Sequence, residues 1–162
     1  MTFEDVLDSI VDFIKQDPCA NYKLAIGTDS HVRTTTKFVT AIHVHKRDNN
    51  GIGKGAWGCL REIIIERHIE SLREKIFIET SLTQEILYMF DYDRISRILD
   101  VLMPYEESGV GFSIEAHLDI GKKGDTRELI PETLSRFEGM DVEAKIKPNA
   151  YAASSYADRY TK

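Results

Sequence analysis

Four acidic residues, spread widely along the chain, are placed where carboxylates could bind metal ions together. Asp29 and Asp119 each end an apolar run with the composition of a strand. Glu79 interrupts the apolar stripe of a long helical segment, and Asp158 lies on the last predicted helix. Carboxylates gathered away from water repel one another unless a cation joins them. Because hard divalent cations prefer oxygen ligands, the four residues predict a Mg²⁺ or Mn²⁺ site of the kind that hydrolyses phosphodiester bonds.

Each of these carboxylates also has an ordinary structural explanation. Asp29 and Asp119 could accept hydrogen bonds from backbone N–H groups in the turns that follow two strands. Glu79 could form a buried salt bridge, since a carboxylate in an apolar stripe needs a partner. Asp158 could pair with Lys162 on a solvated helix. No single position decides between these alternatives, but the occurrence of one carboxylate on each of four elements favours the metal site.

Two histidines lie close in sequence to the strand carboxylates. His117 comes two residues before Asp119, so both side chains lie on the same face of a strand. His31 comes two residues after Asp29. Either histidine could transfer a proton at the metal site, and His117 could also ligate a metal. The alternative for His117 is a hydrogen-bonded histidine of the core.

Hydrophobic periodicity predicts an α/β domain. Apolar residues at helical spacing predict helices over 3–14, 69–92, 126–137 and 150–162. Runs of apolar and β-branched residues predict strands over 22–29, 38–46, 56–66, 112–120 and 142–147. Three strands joined by turns favour an antiparallel meander, and later helical crossovers favour parallel strands. We therefore predict a mixed five-stranded sheet with helices on both faces, with Asp29 and Asp119 as neighbours at one sheet edge.

Length and composition restrict the number of domains and the partners. The 162 residues suit one domain, 1–162, with 1–18 as an N-terminal helical extension. The net charge of −6 argues against tight nonspecific binding to nucleic acid, without excluding a local basic groove or a metal-mediated contact.

Cys19 and Cys59 lack metal-ligand spacing and are predicted to be free thiols. An acidic N-terminus and the lack of a long apolar stretch predict a cytoplasmic protein that does not enter the membrane.

The segment 119–126 offers a second kind of site. It contains two glycines and leads into a predicted helix, where Asp125 and Glu128 have the spacing of a capping pair. Such a loop could cradle a phosphate at the helix N-terminus. A plain strand-to-helix loop has the same composition. Lys145 and Lys147 could add a basic edge nearby or could simply belong to a solvated strand face.

Three segments resemble the YkuK-like bacterial proteins, which are assigned to the ribonuclease H-like fold. The segments are 27–31, 117–121 and 146–159. Ribonuclease H-like enzymes carry an Asp on the first strand, a Glu on the first helix after the meander, an Asp at the end of the fourth strand, and an Asp or His on a late helix. The resemblance implies that these positions are Asp29, Glu79, Asp119 and Asp158. The N-terminal helix and the acidic balance depart from an ordinary ribonuclease H.

The leading hypothesis is a Mg²⁺- or Mn²⁺-dependent nuclease that acts on RNA or DNA. Asp29 and Asp119 would bridge two ions, while Glu79 and Asp158 would each complete the coordination of one ion. The second hypothesis is a noncatalytic binding or regulatory module on the same fold, with a homo-oligomer as a candidate assembly. The acidic composition favours this module. The third hypothesis is a nucleotide-binding protein that uses the loop 119–126.

Overall fold

Within the described residues, five strands form one sheet, and the first three are joined by tight turns. The computed structural model describes residues 1–122, 124–147 and 149–150. The strands are β1 (Asn21–Val32), β2 (Thr36–Arg47), β3 (Gly53–Ile65), β4 (Gly111–Gly121) and β5 (Glu143–Lys147). Asp48 turns the chain between β2 and β3, since its side chain accepts hydrogen bonds from the backbone N–H groups of Asn50 and Ile52, each at 2.9 Å.

The strand order is β3-β2-β1-β4-β5. β1 pairs antiparallel with β2, and β2 pairs antiparallel with β3. β1 also pairs with β4, and β4 with β5, but these two ladders are parallel. A parallel neighbour requires a crossover, which the helical segments after β3 and after β4 supply. The mixed five-stranded sheet predicted from the sequence is confirmed.

Side-chain caps define where the main helices begin. The helices are α1 (Phe3–Lys15), α2 (Leu72–Met89), α3 (Tyr92–Leu102) and α4 (Ile130–Ser135). The helix predicted over 69–92 corresponds to α2, which is shorter at both ends, whereas α3 was not predicted. Asp91 accepts a hydrogen bond from the Arg94 backbone N–H at 3.0 Å and thereby starts α3. No helix within the described ranges is long and apolar enough to cross a membrane.

The helix predicted over 126–137 is much shorter in the structure. A 3-10 turn, Arg127–Leu129, precedes α4, and Pro131 lies in the first turn of α4, where its missing N–H costs nothing. The predicted side-chain cap is absent at this described segment, and Thr126 Oγ1 instead accepts a hydrogen bond from the Gly121 N–H at 3.1 Å. The helix after the loop 119–126, where the sequence suggests a phosphate site, is therefore α4, of six residues.

The N-terminal helix belongs to the main core. Leu7, Ile10 and Ile14 are fully buried in one cluster with α2, α3 and one face of the sheet. Val39 is buried on the opposite face of the sheet. The helix predicted over 150–162 lies outside the described residues.

The parallel ladder between β1 and β4 ends before either strand does. The last pair is Gly27 with His117, whereas β1 continues to Val32 and β4 to Gly121. The ladder between β4 and β5 shifts register over the same part of β4, between His117 and Gly121. Both strands run past the ends predicted for them. Their backbones separate after the last pair and leave an opening beside Asp29.

Candidate metal centre

Three of the four predicted carboxylates meet at the opening between β1 and β4. Asp29 on β1, Glu79 on α2 and Asp119 on β4 each offer one carboxylate oxygen, and these oxygens all lie within 4.8 Å of one another. Asp29 and Glu79 are buried, whereas Asp119 is half-buried. Asp158 lies outside the described residues. Residues separated by as many as ninety positions therefore form one cluster of carboxylates.

A pair of buried hydroxyl contacts holds the strand and the helix that carry two of these residues. Thr28 Oγ1 lies 2.9 Å from Thr40 Oγ1 on β2 and 2.9 Å from Thr83 Oγ1 on α2. Thr28 precedes Asp29 in β1, and Thr83 lies one helical turn after Glu79 in α2. The threonines thus fix the position of the helix relative to the strand next to the carboxylates.

Glu79 is the most unusual member of the cluster. Its side chain is 5% exposed, and neither of its oxygens has a hydrogen-bond partner among the described residues. Burial raises the pKa of Glu79 well above its usual range against the nearby charge of Lys75, and the carboxylates of Asp29 and Asp119 raise it further. A buried carboxylate of this kind costs free energy unless it is protonated or receives a cation.

A lysine is already in contact with the cluster. Lys147 Nζ, at the end of β5, lies 2.6 Å from Asp119 Oδ1. Its hydrogen bond to Asp119 raises the pKa of Lys147, and the charges of Asp29 and Glu79 act in the same direction. The ammonium group is thus a cation placed within the field of all three carboxylates.

The shape and the donor set of the site fit a small, hard cation. A cavity of ≈ 10 Å³ lies between α2 and β4 and is lined in part by Glu79, Thr83, His117 and Asp119. This is about the room that one water molecule requires. The clustered donors are carboxylate oxygens, which suit Mg²⁺ or Mn²⁺, whereas zinc prefers sites with nitrogen or sulfur.

His117 lies beside the site but is engaged elsewhere. Its ring is fully buried, and Nε2 lies 2.9 Å from Glu115 Oε1 on the same strand. Lys23 Nζ contacts the other Glu115 oxygen at 3.3 Å. Burial lowers the pKa of His117, although Glu115 opposes this shift. The structure therefore places His117 in a hydrogen-bonded network of the sheet next to Asp119.

His31 lies further along β1 and is half-buried. Arg33 Nε donates a hydrogen bond of 2.8 Å to His31 Nε2. In the neutral ring, the proton therefore sits on Nδ1. His31 is not one of the residues whose carboxylate or ring atoms converge within the described part of the chain.

Sequence reasoning did not identify two residues beside this site. The sequence suggests only a basic edge or a solvated strand face for Lys147, because its contact with Asp119 depends on how β5 pairs with β4. Glu115 is buried and joins Lys23 to His117. The alternation of side chains along β4 places Glu115, His117 and Asp119 on one face, and this alternation could have linked them.

The order of the strands and the position of the carboxylates define a class of protein. Carboxylates on β1, on the first helix after the meander and on β4 are the arrangement that the resemblance implied. The chain belongs to the ribonuclease H-like family, whose description, "Ribonuclease H-like", applies to residues 5–162.

A second comparison identifies a relative within this family. It is 48% identical over 163 residues to "Uncharacterized protein YkuK" of Bacillus subtilis (strain 168), and the match covers 100% of this chain and 92% of the relative. The resemblance to the YkuK-like proteins is thereby confirmed. No solved structure matches the chain significantly.

Proposed function

We propose that the protein is a nuclease that hydrolyses phosphodiester bonds of RNA or DNA with Mg²⁺ or Mn²⁺. The observation that carries this proposal is the convergence of Asp29, Glu79 and Asp119, with oxygens within 4.8 Å of one another. The Glu79 oxygens add to it, since they are buried and have no partner among the described residues. Such a group is costly in a protein that never binds a cation there.

The carboxylates are the metal ligands in this proposal. Asp29 and Asp119, on neighbouring strands at the opening, and Glu79, on α2, would hold the divalent ions. Asp158 is proposed as the fourth carboxylate. Divalent cations bound in such sites activate water and stabilise the leaving oxygen of the phosphodiester.

We propose that His31, rather than His117, transfers protons. His31 is half-buried and reaches water, and its Nε2 would take up a proton once the Arg33 hydrogen bond is released. His117 is fully buried and hydrogen-bonded to Glu115. We therefore assign proton transfer to His31 and assign to His117 the role of holding β4 in place beside Asp119.

One contact favours a second candidate function, a noncatalytic binding module on the same fold. The ion pair between Lys147 and Asp119, at 2.6 Å, already neutralises one carboxylate of the cluster without a metal ion. A site that is stabilised internally in this way could serve recognition rather than hydrolysis. The net charge of −6 is consistent with a partner that is not a nucleic acid.

A cleavage assay separates the two functions. Labelled single-stranded RNA, DNA and RNA–DNA hybrid would be incubated with the protein and Mg²⁺ or Mn²⁺. The proposal expects cleavage by the natural protein that chelation abolishes and that the double variant Asp29→Asn/Asp119→Asn lacks. Glu85→Gln is the matched control, because Glu85 lies on α2 like Glu79 but is exposed and paired with Arg61. It should cleave normally.

The other outcomes are equally informative. If the natural protein cleaves none of the polymers although it binds Mn²⁺, the nuclease proposal fails and the binding module is favoured. Equal cleavage by the natural protein and the double variant would show that the activity belongs to a contaminant.

A further inference from the structure

Lys147 places its ammonium group where the nearby carboxylates favour a cation. Its Nζ atom lies 2.6 Å from Asp119 Oδ1, and the carboxylates of Asp29 and Glu79 also act on its charge. Like charges held this close repel one another strongly in a partly dry site, and a cation among them relieves the repulsion. An ammonium group and a divalent ion therefore satisfy the same need at the same place.

We infer that Lys147 is a built-in competitor for the divalent cation, so that metal binding requires the ammonium group to leave Asp119. This inference rests on the metal site of the proposed function and adds to it a residue that sets the affinity. Lys147 forms an ion pair with the Asp119 carboxylate in the metal-free protein, and a metal ion would compete for the same carboxylate. The competition lowers the affinity for metal and stabilises the protein when no metal is present.

The structure allows Lys147 to leave. Its side chain is 49% exposed, and Lys147 is the last residue of β5, an edge strand of the sheet. A lysine on the sheet edge can turn its ammonium group into water at little cost, since its long side chain has many rotamers. By contrast, Glu79 is buried and cannot withdraw from the site.

A register shift brings Lys147 to Asp119. β5 pairs with β4 at His117 through Lys145 and then at Gly121 through Lys147, so the three β4 residues 118–120 lie opposite the single β5 residue Ile146. This bulge sets Lys147 opposite the end of β4, from which its side chain reaches back to Asp119. Bulges of this kind commonly redirect side chains beside functional sites.

Lys145 provides a matched comparison within the same strand. It lies two residues before Lys147 on the same face of β5, but its Nζ atom pairs with Glu143 at 2.8 Å. Removing its charge changes the net charge of the protein by the same amount. Any difference between the two lysines therefore reports the contact with Asp119 rather than the general field of the surface.

The test is a titration with Mn²⁺ in which free Mn²⁺ is followed by electron paramagnetic resonance. It compares the natural protein with Lys147→Met, Lys147→Arg and Lys145→Met. We expect Lys147→Met to bind Mn²⁺ about ten-fold more tightly, since a single charge at this distance is worth at least that factor in a partly buried site. Lys147→Arg keeps the cation and Lys145→Met keeps the contact, so both should bind as the natural protein does.

Thermal unfolding supplies a second readout that a merely structural role would not produce. Without metal, Lys147→Met should unfold at a lower temperature than the natural protein, because its carboxylates have lost their cation. With saturating Mn²⁺ the difference should disappear. A lysine that only supports the fold would leave the same difference under both conditions.

The possible failures are distinguishable. If the natural protein binds Mn²⁺ and Lys147→Met binds it no more tightly, the competition is refuted and the metal site stands. If none of the four proteins binds Mn²⁺, the metal site itself is refuted, and the competition with it. Tight binding by Lys147→Met alone would support the competition in its strongest form.

Discussion

The hydroxyl groups of Thr28 and Thr83 lie 2.9 Å apart and join β1 to α2 at the level of the carboxylate cluster. Each threonine is buried and adjacent, along its strand or along its helix, to one carboxylate of the cluster. The relative position of Asp29 and Glu79 thus depends on a polar contact as well as on apolar packing.

Replacing Thr83 with valine should weaken both the fold and metal binding. The substitution keeps the shape of the side chain but leaves Thr28 with one partner fewer, so we expect a loss of about 1 kcal/mol in the free energy of unfolding. Because supporting contacts of this kind hold metal ligands in position, Mn²⁺ affinity should fall by about 10-fold. Urea denaturation and Mn²⁺ titration measure the two effects.

Thr83→Ser is the control for this prediction. It retains the hydroxyl group and loses a methyl group, so its stability should fall slightly while its affinity for Mn²⁺ stays near that of the natural protein. Equal Mn²⁺ affinities for the valine and serine variants would show that the hydroxyl contact does not position the carboxylates.

Replacing Glu79 with glutamine should stabilise the metal-free protein and abolish its response to metal. The pKa of Glu79 is raised in the folded state, so the folded protein loses stability as the pH rises from about 4.5 through the shifted value. Glutamine carries no charge and avoids this loss. At neutral pH, Glu79→Gln should unfold at a higher temperature, by about 2–4 °C for each kcal/mol gained.

The metal response provides the second half of this measurement. Mn²⁺ should raise the unfolding temperature of the natural protein and of the exposed control Glu85→Gln, but not that of Glu79→Gln. A lower unfolding temperature for metal-free Glu79→Gln at neutral pH would contradict the account of Glu79 as a strained carboxylate.

Acidification should destabilise the protein through His43. Burial lowers the pKa of His43 below 6.5, and the nearby rings of His45 and His117 lower it further. As the pH falls below 6.5, the unfolded chain therefore takes up a proton before the folded chain does, and stability is lost. The free energy of unfolding, measured in urea at several pH values, should decline between about pH 6.5 and 5.

The variant His43→Gln tests the role of His43. The informative quantity is the slope of the unfolding free energy against pH, not the absolute stability of the variant. The variant should reduce the dependence of the unfolding free energy on pH over that interval. His68→Gln is the control, since His68 is exposed and contacts the Arg33 carbonyl oxygen. An unchanged slope in His43→Gln would assign the acid sensitivity to other groups.

The N-terminal helix should be indispensable for folding. Leu7 is fully buried in the main core, so Leu7→Ala should cost about 2–5 kcal/mol in the free energy of unfolding. Asp12→Ala, on the exposed side of the same helix, should change it by less than about 0.5 kcal/mol. Similar stabilities for the two variants in urea denaturation would show that α1 is only an appended segment.

Local sequence patterns were sufficient to predict the sheet and to identify the three carboxylates that meet. Asp29 and Asp119 follow apolar runs, and Glu79 interrupts a helical stripe, so each could be identified from its neighbours in sequence. The ion pair of Lys147 could not be predicted, because it depends on the register between two strands and on a bulge. Helix α3, which begins at the Asp91 cap, had no counterpart in the prediction.

The opening between β1 and β4 is made by the backbone, since the ladder stops at Gly27 and His117 while both strands continue. Substitution of a carboxylate leaves that opening in place. Evolution can therefore alter the chemistry here without rebuilding the architecture. Single substitutions at Asp29, Glu79 or Asp119 would change what binds in the opening while the strand order stays the same.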